Sequence, residues 1–222
     1  VHSNGFAKFL VDLGIVPGDR VCIFMDKVPA LYFSFLGVLK MGGITQPLFS
    51  AFGDESLEVR LKSAGTRVVL TTQKHARKVR KIRDRLPELE HVVVVAGSPD
   101  SVKEGEVFFD VEKAPRVESF DVFRADAESP SVLHYTSGTT GQPKGALHVH
   151  SSVWGQALTT SWVLDLTDDD VYWCTADPGW VTGTSYGIIG PWSLGVTQCV
   201  LDVGFTAKRW YEFIQDNRVT VW

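Results

Sequence analysis

The chain has 222 residues, of which 44% are apolar, 22% charged and 11% aromatic. That profile excludes an intrinsically disordered, collagen-like or coiled-coil chain, and the length is enough for a sizeable core. A formal net charge of -4 gives no global attraction to nucleic acid or to an anionic membrane, so function is to be sought in local sites.

Three cysteines, Cys22, Cys174 and Cys199, are widely spaced and form no Cys-x-x-Cys pair. Neither a disulfide framework nor a zinc centre is expected, and the compartment reads as reducing. No apolar run approaches the roughly 20 residues that span a bilayer, and the start lacks the order of a signal peptide, so a cytoplasmic protein without membrane contact is expected. The chain begins at Val1 and stops in the strand-like run 219–222, which reads as a fragment. An unpaired strand edge there would invite self-association.

In chain order, Phe6, Phe9, Leu10 and Leu13 follow helical spacing, and Gly14 with Pro17-Gly18 ends that helix. Apolar runs at 21–25 (strand) and 30–41 (helix) begin a βα alternation. It continues with helices at 54–63 and 74–86 and strands at 68–70, 91–95 and 132–135. Short apolar strands alternating with longer helices predict an α/β fold with layered, mainly parallel sheets flanked by helices. Residues 97–130, rich in Pro, Ser, Asp and Glu, read as a surface excursion, since the βα rhythm resumes beyond them. Strands at 171–174 and 196–201, a helix at 207–216 and a last strand at 219–222 complete the pattern.

The most informative segment is 135–145. It places four hydroxyls (Thr136, Ser137, Thr139, Thr140), three glycines (Gly138, Gly141, Gly145) and Lys144 in a loop between the strand 132–135 and the strand-like run 146–149. Glycines let backbone N–H groups converge, hydroxyls add donors and lysine adds a mobile positive charge, which together suit a polyphosphate. It is not a Walker A loop, because Pro143 precedes Lys144 and Gly145 follows it; nor is it the dinucleotide fingerprint, whose glycine spacing differs. On composition alone, a hydroxyl-rich turn without a ligand remains the alternative.

The string 136–145 resembles the phosphate loop of the adenylate-forming superfamily of acyl-CoA synthetases, luciferases and peptide-synthetase adenylation domains. A second string, 172–183, is similar to that of the AMP-forming acetyl-CoA synthetases, and the likeness extends to Gly18-Asp19-Arg20-Val21 and Pro47-Leu48-Phe49. The resemblance implies an incomplete large N-terminal domain over residues 1–222, with the small C-terminal domain absent and the fragment inactive alone. It further implies acid–thiol ligation: a carboxylate attacks the α-phosphorus of ATP, pyrophosphate leaves, and coenzyme A takes the acyl group. Mg²⁺ would be required. Thr136, Ser137, Gly138, Thr139, Thr140, Gly141 and Lys144 would hold the phosphates. Trp180, Val181 and Thr182 would line an acyl pocket for acetate or propionate, with Thr182 also near the thiol end of coenzyme A. No complete catalytic set falls within the chain.

Lys74, Arg77, Lys78, Arg80, Lys81, Arg83 and Arg85 form a basic run, with Val79, Ile82 and Leu86 at helical spacing opposite. Read alone, this is a solvated amphipathic helix, with nucleic-acid or membrane contact a minor alternative. Read through the resemblance, Arg77, Lys78, Val79 and Arg80 meet coenzyme A, the two arginines clasping its 3'-phosphate. Ser50 and Ala51 stand where the family often has paired glycines beside the coenzyme A channel. His148 and His150, two apart on a strand, lack a third ligand at suitable spacing, so no metal site is assigned.

Overall fold

A computed structural model describes residues 1–110, 113–136 and 141–222, and the described chain divides into two compact units, Val1–His150 and Ser151–Trp222.

The first unit alternates as the apolar runs require: helix α1 (His2–Asp12), strand β1 (Arg20–Phe24), helix α2 (Pro29–Lys40), strand β2 (Ile44–Pro47), helix α3 (Asp54–Ala64), strand β3 (Val68–Thr71), helix α4 (Gln73–Ile82) and strand β4 (His91–Val94). Strands β5 (Glu106–Phe108), β6 (Pro130–Thr136) and β7 (Lys144–Val149) follow. They form one seven-stranded sheet in the order β5-β4-β3-β1-β2-β6-β7, parallel throughout except for the antiparallel β6–β7 hairpin. Strand β1 lies at the centre, with Val21 opposite Thr45 on one side and Val68 on the other. Helices on both faces bury it, which is why Val21, Cys22, Ile23 and Phe24 are all inaccessible and read as one continuous apolar run.

One sheet face packs Cys22, Phe24, Val69 and Val92 against Leu57 and Leu61 of α3 and Val79 and Ile82 of α4. Helix α3 carries Asp54 and Glu55 in its first turn, where the helix dipole favours acids, and ends on Gly65 at φ 59°, the left-handed conformation that glycine adopts without strain. Helix α4 stops at Ile82, four residues before the predicted end. Leu86 precedes Pro87, which pushes it out of the helical region to φ -117°, ψ 81°, and a short 3₁₀ turn at Arg83–Arg85 makes the transition.

The stretch 97–130 does more than run over the surface. Glu106–Phe108 extends the sheet as its edge strand β5, and the Phe109 ring stacks on Phe9 of α1 with centroids 4.0 Å apart. The Phe123 amide donates to the Lys40 carbonyl at 2.8 Å, and the Phe123 ring lies so close to Gly42 that a β-carbon there would sit 2.6 Å from it.

The second unit contains helix α5 (Ser152–Val163), strand β8 (Val171–Tyr172), helix α6 (Val181–Thr184), a π-helical turn at Ser185–Ile189, helix α7 (Gly190–Ser193), strand β9 (Thr197–Gln198) and helix α8 (Ala207–Asp216). The helix at 207–216 has its predicted bounds, and the Thr206 hydroxyl caps its start. The predicted strands at 171–174 and 196–201 shrink to a two-residue parallel pair, and that at 219–222 to a single bridge between Tyr172 and Val221. Trp173, 1% exposed, lies among the rings of Trp210, Phe213 and Trp222. Among the described residues, no helix is long and apolar enough to cross a membrane.

Candidate functional site

The antiparallel pairing of β6 with β7 turns the glycine- and hydroxyl-rich segment into the connection of a hairpin at the sheet edge. Thr136 ends β6, Lys144 opens β7, and the two are cross-strand partners, so a hydroxyl and an ammonium leave the sheet side by side. Both are exposed, and Lys144 has no carboxylate partner among the described residues. Gly141 has φ +82°, and a β-carbon there would meet none of the described residues within 4 Å. The hairpin is seated by Tyr135, a buried member of the apolar cluster, whose ring lies 3.6 Å from where a β-carbon on Gly145 would stand. Ser137, Gly138, Thr139 and Thr140 lie outside the described residues.

A cavity of about 320 Å³ borders the same hairpin, lined by Glu55, Ser56, Val59 and Arg60 of α3 and by Gly141, Gln142 and Pro143. Sequence reasoning passed over Arg60. A single arginine in an amphipathic helix carries no local signal, and its ring contacts come from Phe52 and from Tyr135, distant in sequence.

The structure brings together part of the segment assigned to coenzyme A. Lys78 Nζ donates to the carbonyls of Ser50 (2.9 Å) and Phe52 (2.8 Å). The Ser50 hydroxyl donates to Asp26 Oδ1 at 3.2 Å, while Ala51 is exposed. Lys74 Nζ lies 2.7 Å from Asp26 Oδ2 and His75 Nε2 lies 3.0 Å from Oδ1. Burial works against the Asp26 carboxylate, but Lys74 and His75 outweigh it and hold the group below its usual range. Arg77 is exposed. Val79 is fully buried in the core, so its side chain has no surface to offer a ligand. Arg80 meets Glu106 of β5 in a two-pronged pair, 2.7 Å from Nε and 2.8 Å from Nη2, and donates to the Ser101 carbonyl at 3.2 Å. Its guanidinium is thus already engaged, whereas among the described residues Arg77 makes no ion pair and only adds to the positive field on Asp54.

In the second unit, Trp180 and Val181 are 42% and 39% exposed, and Thr182 is exposed beside them at the start of α6. The turn that presents them is tight: the Gly179 amide donates to Asp177 Oδ1 at 2.7 Å, the Trp180 amide to the Asp177 carbonyl at 3.0 Å, and the Thr184 hydroxyl to the Pro178 carbonyl at 2.7 Å. The π-helical turn that follows leaves the Gly187 carbonyl to accept from Gln198 Nε2 at 2.5 Å.

His148 turns out to meet His134: the rings are perpendicular with centroids 5.7 Å apart. His134 is 2% exposed, and neither ring nitrogen has a hydrogen-bond partner among the described residues. Burial first, and the neighbouring His148 second, push its pKa down to about 4. Among the described residues no group of three or more His, Cys, Asp or Glu is placed to hold a metal ion.

These features define a class: an α/β protein whose mainly parallel sheet ends in an antiparallel hairpin rich in glycine and hydroxyls, with a lysine at its mouth. Comparison with known proteins makes that class specific. The chain belongs to the AMP-binding enzyme family, whose model matches residues 1–222. It is 45% identical over 224 residues to an acetyl-coenzyme A synthetase of Bacillus subtilis, a match covering 100% of this chain and 38% of the relative. A crystal structure of an acyl-CoA synthetase of Brucella canis superposes with a TM-score of 0.90 at 29% identity, covering 99% of this chain and 39% of that one. An anthranilate CoA ligase, AuaEII, solved with anthranoyl-AMP, also gives 0.90 at 26% identity, covering 99% and 42%. The chain therefore spans about two-fifths of the length of these proteins.

Proposed function

We propose that the chain is the large N-terminal portion of an AMP-forming acyl-CoA synthetase acting on a short carboxylate, acetate or propionate. The observation that carries this reading is the Thr136–Lys144 pair at the mouth of the hairpin, in a chain matched by the family model over all its residues. The chemistry is electrostatic: a carboxylate must approach a polyanion, and negative charge accumulates on the departing pyrophosphate. Donors fixed in place before the reaction lower that barrier without reorganising. Thr136, Ser137, Gly138, Thr139, Thr140 and Gly141 wrap the β- and γ-phosphates of ATP, and Lys144 adds the charge. A magnesium ion would be held with the nucleotide's phosphates beside the Thr136 hydroxyl, and when bound would neutralise part of the leaving-group charge.

Trp180 and Val181 supply apolar walls for the acyl chain, where a pocket separates homologues by only about 1 to 3 kcal/mol per methylene. Thr182 stands beside them toward the thiol of coenzyme A. Arg77, with Lys78, Ser50 and Ala51 close to one another on the first unit, receives coenzyme A. Three free cysteines fit a cytoplasmic protein.

Lys144→Ala is expected to weaken binding of magnesium pyrophosphate and of MgATP about 10- to 100-fold, since a hydrogen bond to a charged group contributes roughly 1.5–3 kcal/mol. Titration calorimetry on the wild type and the variant checks this. Equal affinities in two folded proteins would refute the assignment.

A further inference from the structure

We infer that Arg60 is a second cationic binding residue for the polyphosphate that the hairpin takes, reaching it from α3 through the cavity that the two share. This rests on the reading of the hairpin given above.

Arg60 is half-buried, and its Nη1 donates to the Ser56 carbonyl at 2.7 Å, within its own helix. Its Nε has no partner, and the guanidinium pairs with no carboxylate, among the described residues. The guanidinium carbon sits 4.3 Å from the Phe52 ring centroid and 5.9 Å from that of Tyr135. Aromatic faces stabilise a cation and fix its plane without neutralising it, so the charge stays available to an anion. Burial lowers the affinity of this guanidinium for its proton, a sign of incomplete solvation that a counter-ion would relieve.

Arg60, with Glu55 and Ser56, lines the cavity of about 320 Å³ whose other wall is Gly141, Gln142 and Pro143. Tyr135, the farther of its two ring contacts, directly precedes Thr136 on β6, so one helix and one strand hold the cation near the base of the hairpin. The planar fork of arginine matches phosphate oxygens in pairs, whereas Lys144 offers a point charge. The two cations differ in role accordingly: Lys144 is mobile, and Arg60 is preorganised. Among the described residues Glu55 is the one carboxylate lining this cavity, and it opposes an anion there.

The test is calorimetric titration of magnesium pyrophosphate into the wild type, Arg60→Gln, Arg60→Lys and Glu55→Gln, with Lys144→Ala as reference and a thermal melt on each. The inference expects Arg60→Gln to bind about 10-fold more weakly with a shallower salt dependence, Arg60→Lys, which keeps the charge but not the fork, to recover part of that loss, and Glu55→Gln to bind about twofold more tightly. It is overturned if Arg60→Gln binds as the wild type while Lys144→Ala does not, or if Arg60→Gln binds more weakly with the salt dependence of the wild type unchanged, which would mark a stacking role alone. Should Arg60→Gln fail to fold, Glu55→Gln decides, and unchanged affinity there overturns the inference. A wild type that does not bind pyrophosphate would instead overturn the hairpin reading itself.

Discussion

Gly183→Ala is expected to destabilise the unit Ser151–Trp222 by more than about 3 kcal/mol, the scale of severe overpacking. A β-carbon on Gly183 would stand 2.0 Å from the Asp177 carbonyl oxygen, 2.3 Å from its carbon and 2.7 Å from the Pro178 nitrogen. All three are backbone atoms, so no side chain can swing aside to make room. The Thr184 hydroxyl, 2.7 Å from the Pro178 carbonyl, and the Trp180 amide, 3.0 Å from the Asp177 carbonyl, tie the same turn together. Relief of the clash would break these bonds and move Trp180 to Thr182, the residues proposed to face the acyl chain. Urea melts followed by tryptophan fluorescence check this. A loss below about 1 kcal/mol would mean that the turn yields more easily than its contacts imply.

The second large effect depends on pH. His134 has a pKa of about 4 in the folded chain against an ordinary value of 6.5. As pH falls from 6.5 toward 4, the unfolded chain takes up a proton that the folded chain refuses. Stability attributable to this residue is therefore complete above pH 6.5 and declines through that window, by up to about 3 kcal/mol. His134→Leu removes the titration. Because neither imidazole nitrogen has a hydrogen-bond partner among the described residues, the substitution should change stability at pH 7 by no more than about 1 kcal/mol. Denaturant melts at pH 7 and pH 4.5 should give a smaller pH loss for the variant than for the wild type. Identical losses would show that His134 is protonated without penalty.

The sheet was legible because strands buried on both faces appear as unbroken apolar runs, as at Val21–Phe24 and Val68–Leu70. Strand β2 was not, although all four of its residues are buried. Thr45 and Gln46 are polar, and Gln46 tolerates burial because its side chain accepts from the Thr66 hydroxyl at 2.6 Å and donates to the Arg60 carbonyl at 3.3 Å. Helix α5 escaped notice because Trp154, Leu158 and Trp162 are exposed while Thr160 is buried, the reverse of the usual apolar-in pattern. Helices α6 and α7 carry no helical signal in sequence because glycines interrupt them, and the fold needs those glycines for contact: a β-carbon on Gly190 would lie 2.0 Å from the Thr160 hydroxyl.

The candidate site was legible to the extent that it is local. The hairpin motif fits within eleven consecutive residues, and its hydroxyls, glycines and lysine declare their chemistry together. Arg77 and Arg80 resemble each other in sequence, yet Arg80 is engaged by Glu106, a residue in the stretch read as a surface excursion. Arg60 was invisible for the same reason: its surroundings are assembled from separate parts of the chain.

The central claim is that the hairpin between β6 and β7 receives a polyphosphate. Amide chemical shifts of the isotope-labelled chain, followed as magnesium pyrophosphate is added, test it most directly. The account predicts that the largest saturable changes fall at Thr136, Gly141, Lys144 and their neighbours and need about 10- to 100-fold more ligand in Lys144→Ala. Changes confined to the basic face of α4, with the hairpin amides unmoved, would contradict it.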